Sequence, residues 1–308
     1  MNERDITNNR ISTTVRFKDF YLWAMPDMLG LIKAGVNALG TVSPQLASPV
    51  LFKLFCTPRR MKSRNKGIFS HAEISIVKAD GEKIWTYKFG NSDKRILLVH
   101  GWEGQANDFH KIITKLVDEG FEVIAFDGPA HGKSSGKQTH AIQFGEVIKD
   151  LSDKFGGFQS IIGHSFGGFA SSRAIAIFPE LGVENLITIG TPNALNNILG
   201  YFTGMFGLND KVKQAYFDYV ETRLGINVHE TSTGNFMKDT DARVLVIHDE
   251  YDPQVSIRTL DGLLKDAPNI SKTLVTYGLG HNRILRDDHV ADSISEFLKG
   301  EMEYSKVL

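Results

Sequence analysis

Apolar positions along the chain change their period as they pass from the first quarter to the rest. From Phe17 they recur at Phe20, Tyr21, Ala24, Met28, Leu29, Ile32, Val36 and Leu39, the three-and-four spacing of one helix face. Pro26 interrupts this run. Its fixed φ and missing N–H predict a bend and the start of a second helix. A short apolar segment at 50–55 follows, then a basic run of Arg59, Arg60, Lys62, Arg64 and Lys66. Residues 1–15 are polar and read as a frayed terminus.

Beyond residue 70 the pattern becomes that of strands. Segments 72–78 (AEISIVK) and 83–89 (KIWTYKF) flank Asp80-Gly81, a hairpin turn signal. Short apolar runs follow at 95–99 (RILLV), 122–126 (EVIAF), 160–162, 185–189 (NLITI), 243–247 (RVLVI) and 273–276 (TLVT). Helical patterns lie between or after them at 108–119, 141–154, 166–178 and 290–298, and Gly120 can end the first of these. Alternation of this kind predicts a mostly parallel central sheet flanked by helices, with an antiparallel hairpin at its edge. About fifty residues separate the strands ending at Ile189 and starting at Arg243, too many for a plain crossover, and 210–224 among them is helical in pattern. They read as a helical cap insertion. The expected organisation is an N-terminal helical extension at 1–70, a core of 71–191 and 239–308, and a cap at 192–238.

Composition narrows the class. The 308 residues are 42% hydrophobic and 23% charged, which is ordinary for a globular protein. Thirty-five Lys and Arg against thirty-six Asp and Glu leave a net charge of −1, without the cationic surplus that a nucleic-acid binder needs. Cys56 is the single cysteine, so no internal disulfide can form. No His/Cys cluster has zinc spacing, and neither metal nor cofactor is expected. The start, MNERDITNNR, is not a basic-then-apolar secretion signal, and a cytoplasmic location is the default reading.

Gly163-His164-Ser165-Phe166-Gly167 fits G-x-S-x-G, and its context sharpens it: an apolar strand precedes the serine and a helix follows. A turn this tight crowds the positions two before and two after the serine, where only glycine fits. The Ser165 hydroxyl needs a base to become a nucleophile. His281, just after the last expected strand, would reach the same sheet edge. Asp252, after strand 243–247, is the candidate acid to orient that imidazole. Asp249 and Glu250 are its rivals; Asp249 sits too near the strand end, and only Asp252 continues as Pro-x-Val. His100 and His164 beside tight turns read as packing or loop-ordering groups. His131 precedes the nucleophile, His289 reads as a surface helix residue, and Asp127 as a loop anchor.

The order Ser165, Asp252, His281, with the elbow and its flanks, resembles the α/β-hydrolase superfamily of esterase/lipase-type serine hydrolases. The resemblance spans residues 72–300. His100-Gly101-Trp102 is similar to its oxyanion loop, 127–134 (DGPAHGKS) to its D-x-P-G-x-G-x-S loop, and Asp252-Pro253-Gln254-Val255 to its acid segment. Ala130 stands where the family usually has glycine. The resemblance implies an oxyanion hole formed by the backbone N–H groups of Trp102 and Phe166, and cleavage of a small-molecule acyl ester. Thioesterase, amidase, lactonase and acyltransferase chemistry share that machinery, and a ligand-sensing member of the fold would bind without turnover. Cap residues Tyr201, Phe202, Met205, Phe206, Tyr216, Phe217, Tyr219, Phe236 and Met237 read mainly as the cap's own core, with some lining an acyl pocket. The N-terminal extension reads as helices packed on the core. Its alternative is a membrane-surface segment using the 17–39 apolar face and the cations of 59–66.

Overall fold

The computed structural model describes residues 26–61 and 67–301. The expected terminus at 1–15, the first part of the helix at Phe17–Ala24 and the cations Lys62, Arg64 and Lys66 lie outside the described residues. Two helices come first, α1 (Pro26–Val42) and α2 (Pro44–Phe55). Ser43 caps α2 by accepting the Leu46 N–H, and Pro44 occupies the first turn, where no intrahelical bond is lost. The short segment expected at 50–55 is therefore the second half of a longer helix.

Eight strands then form one sheet. They are β1 (Glu73–Ala79), β2 (Glu82–Phe89), β3 (Arg95–Val99), β4 (Glu122–Asp127), β5 (Ser160–His164), β6 (Asn185–Ile189), β7 (Arg243–Asp249) and β8 (Lys272–Thr276). Their order across the sheet is β1-β2-β4-β3-β5-β6-β7-β8. β1 and β2 form the antiparallel edge hairpin, turning through Asp80 and Gly81 at positive φ. From β4 to β8 every pairing is parallel.

The helices between them are α3 (His110–Asp118), α4 (Ala141–Phe155), α5 (Phe166–Ile177), α6 (Leu195–Phe206), α7 (Asp210–Leu224), α8 (Thr233–Lys238), α9 (Arg258–Asp266), α10 (Gly280–Arg283) and α11 (Asp288–Lys299). Alternation along the strands sends Leu97, Val99, Ile124, Ile161 and Val246 to one face, against α4, α5 and α9. Ile96, Leu98, Val123, Ile162 and Leu245 go to the other, against α3 and α11. α9 was not expected from sequence; only Leu260 and Leu263 of it are buried, too sparse a stripe to read.

A third core stands above the carboxyl edge of the strands. Val36 of α1 and Ala47 and Leu51 of α2 pack with Leu199, Phe202 and Phe206 of α6 and with Val212, Tyr216 and Phe217 of α7. The first two helices and the inserted ones thus share one apolar interior. Cys56, just past α2, is buried, and burial pushes its thiol pKa up to about 12, so it is inert at neutral pH. Among the described residues no helix is long and apolar enough to cross a membrane.

Candidate active site

The strand order reverses around β3, because the chain runs from β3 out to β4 and then back across to β5. A crevice opens at such a point outside the carboxyl ends of the strands. The loops leaving β3, β5, β6, β7 and β8 meet there.

Ser165 occupies the turn between β5 and α5 with φ +52 and ψ −119, a conformation rare for any residue with a side chain. The turn is held by its glycines. A Cβ on Gly167 would lie 2.2 Å from the Val99 carbonyl oxygen, and one on Gly163 2.5 Å from the Gly168 Cα. Backbone carbonyls and Cα atoms cannot swing away as a side-chain tip can. The Ser165 N–H donates to Ile189 O (2.8 Å), which ties the elbow to the end of β6. Phe166 opens α5, so its own N–H has no acceptor within the helix.

His281 sits in α10 after β8. Its Nδ1–H donates to Asp252 Oδ2 at 2.7 Å, and both side chains are buried. Asp252 Oδ1 accepts the N–H groups of Gln254 (2.8 Å) and Val255 (2.9 Å). Burial raises the pKa of Asp252, but the His281 bond and these two N–H groups outweigh it and hold the carboxyl below its ordinary value. The loop after β6 makes room for the pair: a Cβ on Gly190 would stand 3.3 Å from both Asp252 Oδ2 and His281 Nδ1.

The rival carboxylate has other work. Asp249 Oδ2 accepts Thr276 Oγ1–H (2.8 Å) and the Leu279 N–H (2.9 Å), fixing the loop that carries His281. Asp127 accepts Tyr87 O–H and the N–H groups of Ala106 and Lys133, anchoring the loop after β4. The other histidines at the crevice are structural donors and acceptors. His164 Nε2–H donates to His281 O (2.8 Å). His100 accepts the Gly128 N–H and donates to Gly101 O. His131 Nε2 accepts the Glu103 N–H (3.0 Å) while Nδ1–H donates to Pro129 O. Burial, reinforced by neighbouring histidines, drives the pKa of His131 and of His164 down to about 3, so both are neutral at pH 7. Ala130 has φ +63, the backbone that glycine would take without strain.

Ser165 and His281 line one cavity of about 290 Å³, together with Trp102. Ser165, Trp102 and Phe166 also line a second cavity of about 550 Å³. The Trp102 and Phe166 rings meet edge to face, 5.2 Å between centroids.

Two features escaped the sequence reading. Arg59, which stood only as one of a run of cations, grips Glu103 through its guanidinium (Nη2 to Oε2, 2.6 Å). Glu103 follows Trp102 directly and has φ +57. Arg60 donates to the carbonyls of His131, Gly132, Ser134 and Gly136. The end of the N-terminal helical segment thus pins two loops of the crevice, and no local pattern announces a pairing 44 residues apart.

Comparison with known proteins agrees with this architecture. Residues 94–225 match the family model of the alpha/beta hydrolase fold. The chain has the α/β-hydrolase fold, and its residues 94–225 are similar to that family. A human serine hydrolase-like protein is 33% identical over 120 residues, 34% of this chain and 57% of that one. An esterase of Mycobacterium tuberculosis is 28% identical over 130 residues, 40% of this chain and 41% of the esterase. The chain therefore spans about half the length of the curated relatives it matches, or less. Among solved structures, an esterase of Pyrococcus furiosus superposes with a TM-score of 0.59 at 23% identity, covering 80% of this chain and 98% of that one. That likeness speaks for the fold. The superfamily match begins at residue 94, so α1, α2 and the Arg59 clamp lie outside it.

Proposed function

We propose that the protein is a serine hydrolase that cleaves esters through Ser165, His281 and Asp252. The observation that carries this reading is the buried 2.7 Å His281–Asp252 hydrogen bond beside a cavity that also holds a strained, elbow-mounted serine. Asp252 fixes the tautomer: with Nδ1 protonated, Nε2 is the free base that takes the Ser165 proton. Ser165 Oγ then attacks the acyl carbonyl. The N–H groups of Phe166 and Trp102 are the candidate donors for the oxyanion, each such donor being worth about two to three orders of magnitude in rate. Asp252 stays ionised and stabilises the imidazolium. The protonated His281 gives its proton to the departing alcohol, and water repeats the sequence on the acyl-enzyme. The esterase among the chain's relatives supports an ester as substrate.

The test is a p-nitrophenyl ester assay combined with fluorophosphonate labelling. Wild-type protein is expected to turn over many times and to be labelled once. Ser165→Ala should lose the label and about 10⁶-fold in kcat. Labelling that persists elsewhere in Ser165→Ala refutes the assignment. A single acylation without further turnover would instead mark a sensor, and transfer of the acyl group to added alcohol in preference to water an acyltransferase.

A further inference from the structure

The two cavities that meet at Ser165 differ in chemistry, and the difference assigns the two halves of the substrate. We propose that the preferred substrate is an ester of an apolar acid with a polar, hydroxyl-bearing alcohol. This inference rests on the esterase reading above.

The larger cavity, about 550 Å³, is walled by Phe55, Phe166, Phe169, Ile198, Tyr201 and Phe202. Its polar members include the half-buried Asn193, Gln254, Ser256 and Thr259, while Asn197 and Arg258 are exposed. The smaller, about 290 Å³, is walled by Arg59, Glu103, Gln105, Asp108, Asn282 and Arg286. Ser165, Trp102 and Gln254 belong to both, so a substrate carbonyl at Ser165 can send one substituent into each.

Proton transfer decides which substituent goes where. In the acylation step the Ser165 Oγ–C bond forms and the ester C–O bond breaks. The Ser165 proton passes to His281 Nε2 and from there to the departing alkoxide oxygen, so the products are acyl-enzyme and neutral alcohol. The departing oxygen must lie beside His281. His281 lines the polar cavity and is not among the lining residues of the apolar one. The alcohol therefore leaves through the polar cleft, and the acyl group lies along the aromatic wall. Mixed charge in the cleft, with two arginines and two carboxylates, suits a neutral, hydrogen-bonding alcohol better than an anion or a cation.

The N-terminal helical segment contributes to both halves. Phe55, the last residue of α2, stacks with Trp102 (6.3 Å, 19°) and packs edge-on against Phe202 of α6 (5.1 Å). Arg59, four residues on, forms part of the polar wall. Selectivity thus comes partly from chain outside the superfamily match.

Two substrate series test this on the full chain. Among p-nitrophenyl acetate, butyrate and octanoate, kcat/KM is expected to rise at least tenfold from acetate to octanoate. Among octanoates, glyceryl mono-octanoate is expected to exceed butyl octanoate at least tenfold in kcat/KM. Ile198→Trp should lower the octanoate-to-acetate ratio at least tenfold. Thr259→Trp, which enters the same cavity from α9, does the same if the first variant is unstable by thermal melting. Asn282→Leu should lower the glyceryl-to-butyl ratio. Equal rates along the acyl series, or a preference for octyl acetate over glyceryl mono-octanoate, overturn the assignment of the halves while leaving the esterase reading intact. Absence of turnover on every ester, with no fluorophosphonate label on Ser165, overturns both.

Discussion

The strands β3 to β7 are covered on both faces, whereas the layer formed by α1, α2, α6 and α7 rests on the sheet edge from one side only. In the sheet, backbone meets backbone. Gly167 lies against the carbonyls of Val99 and His100, and nothing bulkier than hydrogen fits. In the upper layer, side chain meets side chain: Phe52 against Tyr219, Phe55 against Phe202, Phe202 against Phe206. Rotamers can re-pack where carbonyls cannot move. The first region fixes the groups proposed to react, and the second shapes what surrounds them and can change without disturbing the elbow.

The strongest way to break this comparison is to cut equal holes in both regions. Leu98 of β3 and Leu51 of α2 are each fully buried. Either Leu→Ala change should cost roughly 2–5 kcal/mol at its site. In Leu98→Ala the loss is expected across the whole molecule, as a single lowered denaturant midpoint. In Leu51→Ala hydrogen exchange should accelerate in α1, α2, α6 and α7 while β3 to β7 stay protected. Equal acceleration everywhere would mean that the two regions open as one unit.

Acid sharpens the contrast, because the buried neutral His131 and His164 sit at the carboxyl edge of the sheet, one in the loop after β4 and the other at the end of β5. His131 and His164 titrate near 3 when folded and near their ordinary 6.5 when unfolded. Between those values the unfolded chain binds the extra protons, so stability falls as pH falls through this window. Each should cost about 2 kcal/mol between pH 6.5 and 5. Asp252 adds nothing there; its depressed pKa contributes stability present above the ordinary carboxylate range and lost only below it. Denaturation midpoints at pH 7, 6 and 5 check this. A flat profile would mean that the crevice loops admit water and charge. The smallest effect belongs to Ala130→Gly. Glycine relieves a left-handed alanine but gains chain entropy when unfolded, so the net change should stay within about 1 kcal/mol. A larger loss would show that the Ala130 methyl packs usefully.

What could be read from sequence follows the same division. Buried parallel strands need continuous apolar runs, and RILLV, EVIAF and NLITI announce themselves. The elbow was legible because sterics at Gly163 and Gly167 leave one choice of residue. The start of α2 was not, since Pro44 and Pro49 both fall within it and a proline ordinarily interrupts a helical pattern, although a first-turn proline suits a helix. Nor was α9, with two buried leucines and no full stripe. The Arg59–Glu103 bond was invisible for a different reason: ion pairs between distant segments leave no periodicity.

The shared interior of α1, α2, α6 and α7 has a consequence for how the molecule is made. On the ribosome α2 is complete at Phe55, but α7 begins only at Asp210. At roughly 5–20 residues per second the interval lasts on the order of ten seconds. For that time Leu51 and its neighbours lack the α6 and α7 side chains they close against. Nascent chains then carry a naked greasy patch that chaperones can hold, and slow translation through residues 56–224 prolongs the hazard of aggregation.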